Sequence, residues 1–132
     1  MSIVIDSSVV VAALVDSGPH GDWAEEVLAS DFLQAPELVR AEATDILRRL
    51  EREKLITTPE ANAAQDDLMQ LDIDLFPFEP FAGRIWELRH NVTSYDAWYV
   101  AIAEALKLPL ATLDEPLSSS NGATCKFLTP AF

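Results

Sequence analysis

The sequence contains a single cysteine, two histidines, and nine Lys plus Arg against 22 Asp plus Glu. Cys125, standing alone, excludes an internal disulfide and a multi-thiolate metal centre, and it fits a reducing cytoplasm. Two histidines are too few for a zinc cluster. The shortage of positive charge leaves a formal net charge of −13, which repels a phosphate backbone at long range and argues against a basic groove binder of nucleic acid. Any nucleic-acid chemistry must therefore use local positive charge or bound cations. Long apolar runs are also missing. Val9 to Val15 is far short of a membrane span, and Asp6, with no Lys or Arg before it, does not suit a signal peptide. The expectation is a soluble cytoplasmic protein with no membrane partner.

What is present is a chain of 132 residues, 49% apolar, long enough for one domain (1–132) that buries roughly two-thirds of its unfolded surface. Ile3-Val4-Ile5 predicts a buried strand, and Asp6-Ser7-Ser8 can cap a helix through Leu14. A loop is expected at Ser17-Gly18-Pro19-His20-Gly21, then a helix opened by Asp22 and running to Leu28. Phe32 to Ala35 predicts a strand, and Pro36 the start of a helix to about Leu55. Pro59 opens the next helix, to Leu71. Ile73 to Phe76 reads as a third strand, edge-placed if Pro77 belongs to it. Helices over 79–89 and 94–107, strands over 110–113 and 126–128, and a loop over 118–122 complete the reading. Strands alternating with helices predict a three-layer α/β domain, its mostly parallel central sheet flanked by helices.

Four acids stand apart from the others. Asp6 and Asp114 each follow an apolar strand, which places them at the carboxyl edge of a parallel sheet, where open α/β folds bind ligands. Either alone could be a cap or a turn residue. Glu42 has Leu38, Val39 and Ile46 as its helical neighbours, so a carboxylate shares the buried face and needs a partner or a cation. Asp96 opens an almost wholly apolar helix, Ala97 to Ala103, and Thr93 to Asp96 resembles a capping box. Carboxylates converging at one edge repel one another unless cations bind. Mg²⁺ or Mn²⁺ accepts oxygen ligands, can activate a bound water and can stabilise a leaving oxygen, which is the chemistry of phosphodiester hydrolysis.

Val4-Ile5-Asp6-Ser7-Ser8-Val9, Glu42 on a mid-chain helix, Tyr95-Asp96-Ala97-Trp98-Tyr99-Val100-Ala101-Ile102-Ala103-Glu104 and Leu110-Ala111-Thr112-Leu113-Asp114 occur in an order that resembles a PIN-domain ribonuclease, and more narrowly the VapC toxins of bacterial toxin–antitoxin pairs. The resemblance covers essentially the whole chain. It implies that Asp6, Glu42, Asp96 and Asp114 form a catalytic, metal-binding quartet, with Ser7 or Thr112 orienting carboxylates or metal-bound water. It further implies Mg²⁺- or Mn²⁺-dependent endonuclease cleavage of RNA, such as structured tRNA or rRNA, that inhibits translation and growth. A homodimer is implied too, and a DNA-binding antitoxin that inserts a segment, often with Arg, into the acidic pocket. Glu115 departs from the family, since many relatives carry a basic residue directly after the last Asp. It could supply a fifth metal-facing carboxylate.

Five of the nine basic residues fall between Arg40 and Lys54, and Arg40, Arg48, Arg49 and Arg52 are the candidate RNA-backbone contacts on the helix that carries Glu42. Trp23, Trp86 and Trp98 lie in apolar stripes and are expected in the core rather than as base-stacking platforms. His90 is expected at a helix end. Two other classes suit an acidic α/β domain. One is a Mg²⁺-binding receiver-like signalling module, although Ser7 stands where receivers carry a second acid. The other is a catalytically silent domain that binds a partner.

Overall fold

Ile3, Val4 and Ile5 become β1 (Ser2–Ile5) in the computed structural model, which describes residues 1–131. All three are fully buried, so both faces of this strand are covered, as β-branched runs in parallel sheets require. The other strands are β2 (Phe32–Pro36), β3 (Ile73–Phe76), β4 (Leu110–Ala111) and β5 (Phe127–Leu128). They form one sheet in the order β3-β2-β1-β4-β5, and every pairing is parallel. The chain winds outward from β1 to β3, then returns to place β4 on the other side of β1. The strand order reverses between β1 and β4, which opens a crevice at their carboxyl ends.

Helices α1 (Ser7–Val15), α2 (Pro19–Leu28), α3 (Val39–Arg52) and α4 (Thr58–Gln70) pack as one group. After a 3-10 turn at Glu79–Phe81 come α5 (Ala82–Glu87), α6 (Ser94–Leu106) and the single turn α7 (Glu115–Ser118). α6 lies against β1, β2 and β4, and its Ala97, Tyr99, Val100, Ala101, Ile102 and Ala103 are buried, as its apolar composition requires. Among the described residues no helix is long and apolar enough to cross a membrane.

Several boundaries differ from the sequence reading. The loop expected at 17–21 is partly helix, because Pro19 enters α2 at its first turn, where a missing N–H is harmless. Buried Gly21 lets that helix cross the end of α1: a Cβ there would stand 1.8 Å from the Asp16 carbonyl oxygen. Pro36 ends β2 instead of opening α3. The β1–β2 register stops at Val4–Gln34, so Pro36 lies beyond the reach of β1 and no ladder bond is lost. The helix expected over 79–89 is shorter, interrupted by the turn at Glu79–Phe81 and ending at Glu87. β4 ends at Ala111 rather than Leu113, and Ser118, expected in a loop, closes α7. β3 is an edge strand, although Pro77, on which that expectation rested, lies just outside it.

Candidate active site

Asp6 follows β1 directly and is the N-cap of α1, accepting from the Val9 N–H at 3.1 Å. Ser8 Oγ donates to the same oxygen at 2.5 Å, and the Thr112 hydroxyl, from just beyond β4, donates to the other. Thr112 Oγ1 also accepts from the Asp114 N–H at 2.9 Å, so one hydroxyl ties the ends of the two adjacent strands together. Burial of Asp6 outweighs these three donors, with the nearby Asp96 charge adding to it, and holds the carboxyl up at about 6.

Glu42 sits in the first turn of α3, half-buried, and accepts from the Tyr99 hydroxyl at 2.6 Å. Burial raises its proton affinity and the Asp96 charge adds to the effect, against the Tyr99 bond. Tyr99 is buried, and burial together with the Glu42 charge keeps its hydroxyl protonated and able to donate. Ser7 lines the same cavity as Glu42. Ser8 is the neighbour that serves Asp6, a role the sequence did not separate between two adjacent serines.

Asp96 lies in the first turn of α6, where its N–H donates to the cap hydroxyl of Thr93 at 3.2 Å. Its carboxyl is raised by burial and by Asp114. Asp114 caps α7 and accepts from the Leu117 N–H at 3.0 Å. The fold thus brings the four acids into one electrostatic group, with Asp96 coupled to Asp6, Glu42 and Asp114. None of the ion pairs among the described residues involves any of the four. Glu115 is exposed at the first position of α7.

The donor set is all oxygen and without a cation, which suits a hard divalent ion. Among the described residues no three His, Cys, Asp or Glu side chains close into a ready-made ligand cage. Mg²⁺ is commonly held through one or two carboxylates with waters completing the shell, so these acids singly or in pairs are the groups that could hold it.

The arginines of α3 are distributed differently from the acids. Arg40 closes the end of α4, donating to the carbonyls of Leu68 at 3.4 Å and Leu71 at 2.6 Å. Arg48 and Arg49 share Asp45, at 2.9 and 3.6 Å. Arg49 also lines a cavity with Glu42 and Ser7, and Arg52 is exposed. Trp86, expected in the core, is 66% exposed, because α5 turns that face outward. His90 lies beyond the end of α5 rather than in its last turn.

Fold and crevice together define a class: a small α/β domain with an entirely parallel sheet and an all-carboxylate switch point, the architecture of PIN domains. A PIN domain family model matches residues 3–120. Among curated proteins, the chain is 39% identical to Ribonuclease VapC1 of Mycobacterium tuberculosis over 124 residues, covering 93% of both chains. It is 37% identical to Ribonuclease VapC9 of the same organism over 123 residues, 93% of this chain and 94% of that one. Among solved structures, VapBC2 from Rickettsia felis bound to a promoter DNA fragment shares the fold, with a TM-score of 0.68 at 12% identity, covering 99% of this chain and 100% of that one. The chain belongs to the PIN-domain family, as a VapC-type ribonuclease.

Proposed function

We propose that the protein is an Mg²⁺- or Mn²⁺-dependent endoribonuclease, the toxin of a toxin–antitoxin pair, and that Asp6, Glu42, Asp96 and Asp114 carry its chemistry. The observation that supports this is the electrostatic group centred on Asp96, four acids of which none is ion-paired among the described residues. These carboxylates would hold the ion, which when bound supplies an activated water and stabilisation of the leaving oxygen. The protein's own part is orientation. Ser8 and Thr112 fix the plane of the Asp6 carboxylate, and Tyr99 fixes that of Glu42. Raised proton affinity at Asp6, Glu42 and Asp96 fits these groups to take a proton from water.

A structured RNA such as tRNA or rRNA is the proposed substrate, and a homodimer that joins a larger toxin–antitoxin assembly is the proposed form. The proposed seat of the antitoxin is a 450 Å³ groove whose lining includes Val11, Ala12, Val15, Ile46, Leu50 and Leu55. Ser8 stands at the acidic end of that groove, so an apolar segment lying in it would deliver an Arg to the carboxylates. The name of VapBC2, a toxin–antitoxin pair, is in keeping with such a partner.

Incubation of total cellular RNA with Mn²⁺, followed by mapping of new ends, tests the reading. Discrete cuts are expected from the wild type, with a loss on the order of 10³-fold in Asp96→Asn. Chelation should give the same loss. Equal cleavage by Asp96→Asn, or in the presence of EDTA, overturns the proposal. Tyr99→Phe removes the bond to Glu42 and is expected to lower cleavage about 10- to 100-fold, with a loss of about 1 kcal/mol in urea unfolding. Unchanged cleavage by that variant would show that Glu42 needs no orientation.

A further inference from the structure

An acidic crevice must still receive a polyanion, and a bound cation compensates charge only where it sits. The strand on either side of the reacting phosphate needs protein groups of its own. Of the arginines of α3 and α5, Arg40 is committed to backbone carbonyls, Arg48 and Arg49 to Asp45, and Arg84 to Glu104, while Arg52, exposed and outside the ion pairs of the described residues, lies in the last turn of α3, the opposite end from Glu42. Arg89 is different. Its guanidinium carbon lies 4.3 Å from the centroid of the Trp86 ring, and its Nη1 donates to the Trp86 carbonyl at 2.8 Å. Among the described residues it has no carboxylate partner.

Arg89 and His90 line a 440 Å³ cavity whose other lining residues include Thr93, Asp96 and Asp114. One cavity therefore holds two of the four acids together with a basic wall. Arg89, on that wall, stacks on Trp86, the most exposed tryptophan of the chain. A large aromatic surface left in water, with a cation stacked on it, matches the way single-stranded nucleic acid is held, by base stacking on a ring and a cation on the backbone. Stacking of the guanidinium face on the ring leaves N–H groups at its edge for a phosphate.

We propose that Trp86 and Arg89, with His90, form a subsite for one nucleotide of single-stranded RNA flanking the cleaved bond. The base lies on Trp86 and the phosphate meets the edge of Arg89. This rests on the ribonuclease reading. Stacking accepts any base, so the subsite contributes affinity more than sequence preference. It acts on substrate binding and not on the bond-breaking step.

The test measures binding of a labelled single-stranded RNA oligonucleotide by fluorescence anisotropy in EDTA, and cleavage kinetics of the same RNA in Mn²⁺. Trp86→Ala and Arg89→Ala are each expected to weaken binding about 10-fold and to raise KM about 10-fold at unchanged kcat. Arg89→Ala should also lower the slope of log K against log salt by about one. Trp86→Phe should restore most of the binding. Lys107→Gln removes the same charge at the far end of α6 and should bind as the wild type does. Wild-type affinity and KM in both alanine variants, with cleavage intact, overturns the subsite and leaves the nuclease standing. Binding that depends on Trp86 and Arg89 in a protein that cuts no RNA supports the subsite and defeats the nuclease reading. Sedimentation is measured alongside. If Trp86→Ala dissociates a dimer, and the loss of RNA affinity follows that dissociation, the face belongs to a second copy of the chain and the proposal is overturned.

Discussion

Asp6→Asn is expected to melt about 5–10 °C above the wild type at pH 8 while its RNA cleavage falls on the order of 10³-fold. The two effects share one cause. The Asp6 carboxyl is 6% exposed and titrates at about 6 in the folded chain against 3.8 for the ordinary group. The folded state therefore favours the protonated form. That stabilisation is complete below pH 3.8 and is lost as pH rises through about 6. At about 1.4 kcal/mol for each pH unit, the ionised carboxylate costs the fold about 3 kcal/mol at pH 8, and a neutral Asn recovers about 1–3 kcal/mol of it. The advantage of the variant should shrink as pH falls towards 4, where the wild-type group is itself protonated. Added Mg²⁺ should raise the melting temperature of the wild type and not that of Asp6→Asn, because an ion that binds only the folded chain stabilises it. Thermal melts from pH 4 to 8, with and without Mg²⁺, check both statements. A variant that melts below the wild type at pH 8 would show that the three hydrogen bonds to the carboxylate outweigh the cost of its burial.

The second large effect is expected from Gly21→Ala, far from the carboxylates. The added Cβ would stand 1.8 Å from the Asp16 carbonyl oxygen and 2.6 Å from its carbon. Both are backbone atoms, so α1 and α2 must move apart. Helix propensity favours Ala by up to about 1 kcal/mol, and overpacking opposes it by more, leaving a net loss of about 2–3 kcal/mol. Gly83→Ala is the matched comparison. Nothing lies within 4 Å of its added Cβ, so only the propensity gain of about 0.5–1 kcal/mol applies. Urea midpoints of the two variants should move in opposite directions, and a wild-type midpoint for Gly21→Ala would refute the close approach of the two helices.

Gly21 also shows why part of the fold was hidden in the sequence. Gly18-Pro19-His20-Gly21 has the local chemistry of a loop, and only the packing of α2 on the end of α1 makes it helix. Pro36 is a similar case, since its place at the end of β2 depends on how far β1 extends. The end of β1 was legible because its apolar run stops at Asp6, whereas the run before Asp114 overstated β4, which ends at Ala111 and leaves Asp114 to cap α7. Glu42 was legible from its apolar neighbours, but its partner was not. Tyr99 is 57 positions away and reads locally as one more residue of an apolar helix. Ser7 and Ser8 are indistinguishable by type, and the geometry divides them, Ser8 bonding Asp6 and Ser7 lining the cavity of Glu42. Trp86 was misread because a short helix with an apolar stripe can still turn one member of it to water.

The bond from Thr112 to Asp6 spans 106 positions and joins two strands that pair side by side. During synthesis the first strand, with Asp6, emerges long before its neighbour exists, and the intervening sheet can grow only on its other side. The crevice therefore has one wall until the chain has been made through Thr112. Closure of the longest loop in the fold is also entropically demanding, which places this pairing late in folding. The carboxylates at the ends of the two strands therefore meet only once β1 and β4 have paired, so the site is assembled by the step that joins the two halves of the sheet.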